Sequence, residues 1–182
     1  ILSYGVVISA GHSNASYDEA LIGFDRGITA VTHLYNAMSA LQHRAPGLVG
    51  AAMNSSVLAS IIPDGHHVDF PAIRIAKEVM KERLFVITDA VTETSQGAYQ
   101  HYLAGDKYEA DGILSGSALT MGKSVQKLVN DVGIDLGEAL RMCSLYPAKV
   151  MGLQNELGKI EKGYKAKMVL LNERNDVVRI VD

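Results

Sequence analysis

The stretch Ile28-Thr-Ala-Val-Thr-His33-Leu-Tyr-Asn36-Ala37-Met38 decides how this chain folds. Its first five residues have the length and β-rich composition of a buried strand. The run ends in His33 and then breaks into a polar turn carrying Asn36. Three other runs share this form. Val6-Val-Ile-Ser-Ala10 leads into Gly11-His12, and Leu58-Ala-Ser-Ile-Ile62 leads through Pro63 into Asp64-Gly-His-His67. Leu84-Phe-Val-Ile-Thr88 leads into Asp89. Parallel strands joined by helical crossovers carry such terminal residues to one face. The rhythm therefore predicts an α/β fold in which His12, His33, His67 and Asp89 converge.

The intervening segments agree. Ser16-Tyr-Asp-Glu19 has the capping-box form, which predicts a helix over 17–26 with Ala20, Leu21 and Phe24 inward and Gly27 as its stop. The span 39–57 holds the turn signals Arg44-Ala-Pro-Gly47 and Asn54-Ser-Ser56, so it reads as a functional loop with a short helix. Asp69 and Pro71 mark another helix start, with Ile73, Ala76, Val79 and Met80 facing inward. Further on, the pattern predicts a hairpin from Tyr99 to Ala110 around Gly105-Asp106. A small-residue turn, Ile113 to Ser117, should follow. Two helices come next: one carries Val125, Leu128, Val129 and Val132 and closes at Gly133, and the other opens at Asp135-Leu-Gly-Glu138. Pro147 should interrupt the second, and Gly152 should end its continuation. Residues 158–182 alternate as strands, a separate small β element.

Composition narrows the function classes. The 182 residues are 48% hydrophobic and 20% charged, with formal net charge −3, an ordinary globular balance. The mild negative charge gives no nucleic-acid footprint. No apolar run has the roughly 18 residues of a membrane span. The single cysteine, Cys143, excludes an internal disulfide, suits a reducing cytoplasm and lies in an apolar helical pattern that fits an inert thiol.

The chemistry lies at the strand ends. His12 and His33 end consecutive parallel strands about 4.8 Å apart, close enough for two imidazoles to reach one divalent cation. Such a cation lowers the pKa of its water to near 7 and makes hydroxide available. Histidine donors accept zinc, iron, manganese or cobalt with little discrimination. Asp89 is placed to move a proton, the alternative being a cap or an ion-pair partner. Asp64 reads as a turn residue. His66 and His67 are adjacent, so in an extended segment only one faces the site. Asn36, Ala37 and Leu114-Ser-Gly-Ser117 offer amide groups suited to sugar hydroxyls or, before a helix, to phosphate.

These motifs together resemble a known family. Gly11-His-Ser-Asn-Ala15, Thr32-His-Leu-Tyr-Asn-Ala-Met38, Pro46-Gly-Leu48, Asp64-Gly-His-His-Val-Asp69, Thr88-Asp-Ala90 and Leu114-Ser-Gly-Ser-Ala-Leu-Thr-Met121 are similar to the N-acetylglucosamine-6-phosphate deacetylases of the amidohydrolase superfamily. The resemblance implies the second half of a metal-dependent (β/α)8 TIM barrel over residues 1–153. Residues 154–182 would be C-terminal strands of a small β-sandwich. It implies His12 and His33 as metal ligands on the fifth and sixth barrel strands and Asp89 as acid and base on the eighth. His67 would polarise the amide carbonyl, and Asn36 and Ala37 would bind the phosphorylated sugar. Arg44 would reach the phosphate in a neighbouring subunit's site, which implies a homodimer or higher homo-oligomer. Leu114, Ser115 and Gly116 would line the acetyl end. The family's glutamate ligand and its first four barrel strands have no counterpart in these residues. The expectation is therefore the C-terminal part of a longer chain, whose half-barrel edges would associate if left open. The rival readings are a deacetylase for another amino-sugar phosphate and a non-catalytic half-barrel acting in assembly.

Overall fold

The computed structural model describes residues 2–97 and 100–181. Strands β1 (Ser9–Ala10), β2 (Ala30–Val31), β3 (Leu58–Ile61) and β4 (Leu84–Val86) form one sheet in that order. Each neighbouring pair is parallel, with Ser9 opposite Ala30, Ala30 opposite Leu58 and Ala59 opposite Leu84. This is the predicted arrangement. The strands are shorter than the apolar runs because ladder bonds need an in-register partner. At the β1 edge Val6 and Val7 have none and are exposed. Flanking bonds prolong the pairing, among them Thr32 N–H to the Ala10 carbonyl at 2.8 Å and Leu34 N–H to the Ser60 carbonyl at 2.7 Å.

Helices α1 (Tyr17–Asp25), α2 (Gly47–Met53) and α3 (Phe70–Met80) fill the crossovers. Both arms of the Ser16–Glu19 capping box are made, and Gly27 ends the helical segment at φ +103°. Helix α2 is short, and its residues Gly47 to Ala52 are buried. Along α3, Ile73, Ala76 and Met80 point inward. Val79, predicted to join them, is 47% exposed. At 100° per residue it lies 60° outside the stripe that the other three define.

The second half departs more from expectation. Strands β5 (Tyr102–Ala104) and β6 (Lys107–Ala110) make the predicted hairpin around Gly105-Asp106; Tyr99, its expected first residue, lies outside the described residues. Ile113–Ser117 is a strand, β7, and not a turn. It finds partners on both sides: β6 along its length and the loop after β4 at its end. Helix α4 (Met121–Lys127) is capped by Thr120 and runs into one π-helical turn, Leu128–Val132, closed by Gly133 at φ +82°. Helix α5 (Leu136–Cys143) opens at Asp135, whose carboxylate accepts the Glu138 N–H at 3.2 Å. The chain breaks at Ser144, not at Pro147. Pro147 instead lies in the first turn of α6 (Leu145–Val150), where a missing N–H is tolerated. Strands β8 (Met168–Leu171) and β9 (Val177–Val181), in the stretch predicted to alternate as strands, pair antiparallel. Among the described residues no helix is long and apolar enough to cross a membrane.

The main core joins Val31, Ile61, Leu84 and Val86 of the sheet to Ile73, Met80, Leu128, Met142 and Tyr146 of the helices. Ala20, Leu48 and Ala51 form a second cluster between α1 and α2. Cys143 packs beside the main core, and burial pushes its thiol up to about 12. Glu138 ties the helices together: it pairs with Lys77 of α3, accepts the Tyr146 hydroxyl at 2.9 Å and meets Arg141 Nε at 2.8 Å. Burial opposes its charge, but the hydrogen bonds from Lys77, Arg141 and Tyr146 prevail and hold the carboxyl below its usual range. Glu138→Ala strands a largely buried ammonium and a phenol, so we expect a loss of about 1–3 kcal/mol in urea unfolding at neutral pH. A depressed carboxyl stabilises above its unfolded value and loses that contribution as pH falls through the folded one. The gap between wild type and variant should therefore shrink in acid, below about 4.5; an unchanged gap would count against this role for Glu138.

Candidate active site

The carboxyl ends of β1 to β4 share one edge of the sheet, and each delivers a polar residue within three positions. His12 follows β1, His33 follows β2, Asp64 follows β3 and Asp89 follows β4. Backbone conformation marks the same places. Among the described residues, the non-glycine positions at positive φ include His12 (+46°), His33 (+37°), Tyr35 (+81°), Ala37 (+49°) and Asp89 (+48°). A left-handed residue other than glycine costs roughly 1–2 kcal/mol. Such strain persists only where the surroundings impose it, and it collects at functional sites.

The imposing contacts are identifiable. Ser60 of β3 is 2% exposed. Its hydroxyl accepts the His33 N–H at 2.7 Å and lies 3.4 Å from the Val31 carbonyl. The turn after His33 is closed by Asn36 N–H to the His33 carbonyl at 2.9 Å. The loop carrying His12 is held to the same turn: Ser13 N–H donates to the Ala37 carbonyl at 3.0 Å, and Ser39 N–H donates to the Ser13 carbonyl at 3.2 Å. The Ser39 hydroxyl then accepts the Leu48 N–H at 2.7 Å, fastening the turn to α2. Gly47 fits there because a Cβ would lie 2.6 Å from the Ser39 carbonyl oxygen.

This scaffold brings His12 and His33 together. Their rings stand edge to face with centroids 4.7 Å apart. His12 is exposed, whereas His33 is 5% exposed and its Nδ1 is buried without a hydrogen-bond partner. An orphaned buried imidazole nitrogen beside a second, accessible imidazole fits cation coordination, since a cation satisfies the nitrogen that protein donors do not. The described residues contain no group of three or more His, Cys, Asp or Glu side chains poised to hold a metal. Two imidazoles are fewer than the three protein ligands usual at a catalytic zinc centre. Ala37 lines an open cavity of about 330 Å³ with His12, Ser13, Asn14 and Met38. Its N–H makes no hydrogen bond among the described residues. Asn36 folds back, its side-chain amide 3.4 Å from the His33 and Leu34 carbonyls.

Asp89 is exposed, and its carboxylate has no hydrogen-bond or ion-pair partner among the described residues. Among the described residues it is neither a helix cap nor half of an ion pair. Its carbonyl accepts the Ser117 N–H at 3.1 Å, and Val91 N–H returns a bond to Ser117 at 3.2 Å. Gly116 permits that approach, because a Cβ would lie 2.6 Å from Val91 Cγ2. The expected Ser/Gly helix-start turn is therefore not formed. Ser115 and Gly116 lie within β7, and α4 begins only at Met121. Leu114 and Ser115 line a different cavity, of about 640 Å³, with His101, whose Nδ1 is 2.8 Å from the Ser115 hydroxyl. Arg44 sits apart on an exposed turn closed by Gln42 and Ala45.

His67 and His66 do diverge. His67 Nδ1 meets Asp64 Oδ2 at 2.6 Å, and His66 Nε2 meets Asp106 Oδ1 of the β5–β6 turn at 2.6 Å. Burial would raise the Asp64 carboxyl, yet the His67 ring and the backbone N–H groups of His67 and His66 outweigh it and hold it low. Sequence reasoning took Asp64 for a turn residue, as its bonds to the His66 and His67 N–H groups show, without its contact to the His67 ring; it passed over Ser60 and placed Ser117 in a turn. Ser60 had a signal, as a lone hydroxyl inside the apolar run Leu58–Ile62. The β7 pairing of Ser117 had none, because its partner is a loop.

Chains of known function match this one along its length. The amidohydrolase family profile covers residues 3–181, and the chain belongs to that family. It is 36% identical to the N-acetylglucosamine-6-phosphate deacetylase of Haemophilus influenzae, over 97% of this chain and 49% of the relative. It is 33% identical to the N-acetylgalactosamine-6-phosphate deacetylase of Escherichia coli O157:H7, over 96% and 49%. The crystal structure of N-acetylglucosamine-6-phosphate deacetylase from Pasteurella multocida superposes with a TM-score of 0.95 at 38% identity, over 99% of this chain and 50% of that one. The chain spans about half the length of these relatives.

If Ser60 holds His33 in place, Ser60→Ala should leave a buried N–H unpaired and lower unfolding free energy by about 1–3 kcal/mol. The exposed Ser56→Ala serves as control. Indistinguishable denaturant midpoints for the two variants would refute the clamp.

Proposed function

We propose that this chain supplies the metal-binding and proton-transfer portion of a deacetylase acting on N-acetylglucosamine 6-phosphate, yielding glucosamine 6-phosphate and acetate. The observation that carries the reading is the His12–His33 pair, with ring centroids 4.7 Å apart and a buried unpaired Nδ1 on His33. The amidohydrolase match and the activity named for the relatives support it. In this reading the parallel sheet is the second half of a (β/α)8 barrel spanning residues 1–153, and residues 154–182 belong to a small β-sandwich.

His12 and His33 would hold a divalent cation, zinc, iron, manganese or cobalt. When bound, such an ion supplies positive charge that polarises a carbonyl and makes hydroxide available at neutral pH. The remaining work falls to this chain's own groups. Asp89, with its carboxylate free, takes the proton from the attacking water and returns it to the departing amine nitrogen. Water adds to the acetamide carbon, the C–N bond breaks, and acetate and the amino sugar leave. The His67 ring donates to the carbonyl oxygen. Asn36 and the Ala37 N–H hold the phosphorylated sugar, and Leu114, Ser115 and Gly116 border the acetyl group. Arg44, exposed on its turn, reaches the phosphate bound by a neighbouring copy in a homodimer or larger homo-oligomer. A reducing cytoplasm suits the single, partly buried thiol. A second reading, N-acetylgalactosamine 6-phosphate as substrate, is favoured by the Escherichia coli relative at nearly the same identity.

Two measurements test this on the complete protein. A His12→Ala/His33→Ala variant should lose bound metal by elemental analysis, and equal metal content would sink the assignment. Asp89→Asn keeps shape but removes the proton acceptor. Turnover on N-acetylglucosamine 6-phosphate should fall about 10²–10⁴-fold with metal retained; near-normal turnover would refute the role of Asp89.

A further inference from the structure

Asp64 is more than a turn residue. A turn of this kind needs one carboxylate oxygen to accept backbone N–H groups, and Oδ1 does that work, accepting from His66 at 2.9 Å and His67 at 2.8 Å. The second oxygen, Oδ2, is surplus to the turn, yet it lies 2.6 Å from His67 Nδ1. The carboxylate side chain is 2% exposed and the His67 side chain 11%. With Oδ1 committed to two backbone donors, the carboxylate cannot rotate away. An ionised carboxylate only accepts hydrogen bonds, so Nδ1 must carry the proton in this contact.

We propose that Asp64 is the positioning residue for His67, fixing the imidazole as its Nδ1–H tautomer and leaving Nε2 as the nitrogen that meets a ligand. The functional weight of this inference rests on the reading that His67 contacts the substrate; the tautomer itself does not. Nε2 has no hydrogen-bond partner among the described residues, so it is the nitrogen free to act. The order of contacts is economical: β3 ends, Asp64 caps the turn, and the turn presents the ring that Asp64 then orients. In a neutral ring the nitrogen opposite a protonated Nδ1 is an acceptor, and in the imidazolium it is a donor. A carbonyl oxygen can be polarised only by the donor. A carboxylate at Nδ1 is compatible with both forms of the ring. An amide nitrogen donor in the same place excludes both, because it requires Nδ1 as acceptor; the ring left to it is the neutral Nε2–H form, which donates to a carbonyl oxygen more weakly than the imidazolium that Asp64 supports.

The test uses two-bond ¹H–¹⁵N correlation spectra of the ¹⁵N-histidine-labelled protein without substrate, above the ordinary histidine range so that the ring is neutral. The His67 signals are assigned by their loss in His67→Gln. In the wild-type protein they should show the Nδ1–H tautomer. In Asp64→Asn the amide oxygen still serves the two backbone N–H groups, its NH₂ faces the ring, and the tautomer should switch to Nε2–H. A wild-type Nε2–H tautomer, or a folded Asp64→Asn variant with unchanged His67 signals, would overturn the proposal. Should Asp64→Asn fail to fold, the wild-type spectrum decides alone. Turnover separates the two ideas. Because Asp64→Asn excludes the imidazolium and leaves only the weaker neutral donor, it should lower kcat of the complete protein about 10–100-fold, the size of effect seen for partners that orient metal-bound histidines, with KM little changed. A Nδ1–H ring whose His67→Gln variant turns over normally would overturn the substrate role of His67 while leaving the Asp64 pairing in place.

Discussion

The hydrogen bond from the His33 N–H to the Ser60 hydroxyl is the contact on which the rest of the site depends. It joins β2 to β3 one step beyond their regular ladder, where His33 has already left extended geometry for φ +37°. A buried N–H at such a turn must find an acceptor or lose free energy comparable to a lost hydrogen bond. Ser60 supplies that acceptor from inside the sheet, so the ring of His33 is placed by the sheet and not by its own loop. The consequences propagate along the chain. The turn that follows brings Ala37 against Ser13, which seats the loop of His12, and Ser39 fastens the same turn to α2. Two imidazoles end 4.7 Å apart because two neighbouring strands are in register and one hydroxyl fixes where the second strand stops.

Charge is handled by the same logic at a distance from the pair. Glu138 and Asp64 are both carboxylates whose burial works against ionisation, and in both cases hydrogen-bond donors reverse the balance. Their settings differ. Glu138 gathers partners from three helices and stabilises the packing behind the sheet. Asp64 gathers its partners from the turn it belongs to and holds a histidine at the front. His66 and Asp106, by contrast, meet with much of Asp106 in solvent, and an exposed pair of that kind contributes little stability. It links the β5–β6 turn to the loop after β3 without fixing either firmly.

How much of this was legible in the sequence follows from which interactions are local. The capping box at Ser16, the stop at Gly27 and the Gly105-Asp106 hairpin rest on residues close in sequence, and the four parallel strands on contiguous apolar runs whose pairing the crossovers then dictate; each stands as read. The approach of His12 to His33 was legible too, since parallel neighbours of equal length put their ends together. What was not legible depends on partners remote in sequence. Ile113–Ser117 has turn composition, yet β6 on one side and the Asp89 loop on the other draw it into a strand. Val79 fits a helical period but falls just outside the buried stripe. The left-handed φ at Ala37 and Tyr35 carries no compositional mark, because neither residue favours it. It is imposed by Ser13, Ser39 and the register of the sheet.

The imidazole pair and the cavity beside Leu114 differ in what holds them, and under the proposed function that difference bears on which sugar fits. His12, His33 and Asp89 hang from the sheet, where a shift of one residue would move every side chain to the other face. Leu114 and Ser115 hang from the three-stranded β5–β6–β7 sheet, which reaches the Asp89 loop through the Ser117 bridge and the loop after β3 through the exposed His66–Asp106 pair. Gly116 is the close-packed point of that connection: its missing Cβ lets β7 lie against Val91. A change in hairpin length or in the residues beside Leu114 therefore alters the wall of the cavity that Leu114 and Ser115 line while leaving the imidazole pair in register. Relatives named for glucosamine and galactosamine phosphates stand at 36% and 33% identity, too close for overall similarity to choose between epimers. Epimers differ in where one hydroxyl points. Under the proposed function the choice falls to the few groups that would border the sugar, and Leu114 and Ser115 sit on a sheet that can change without moving the imidazole pair.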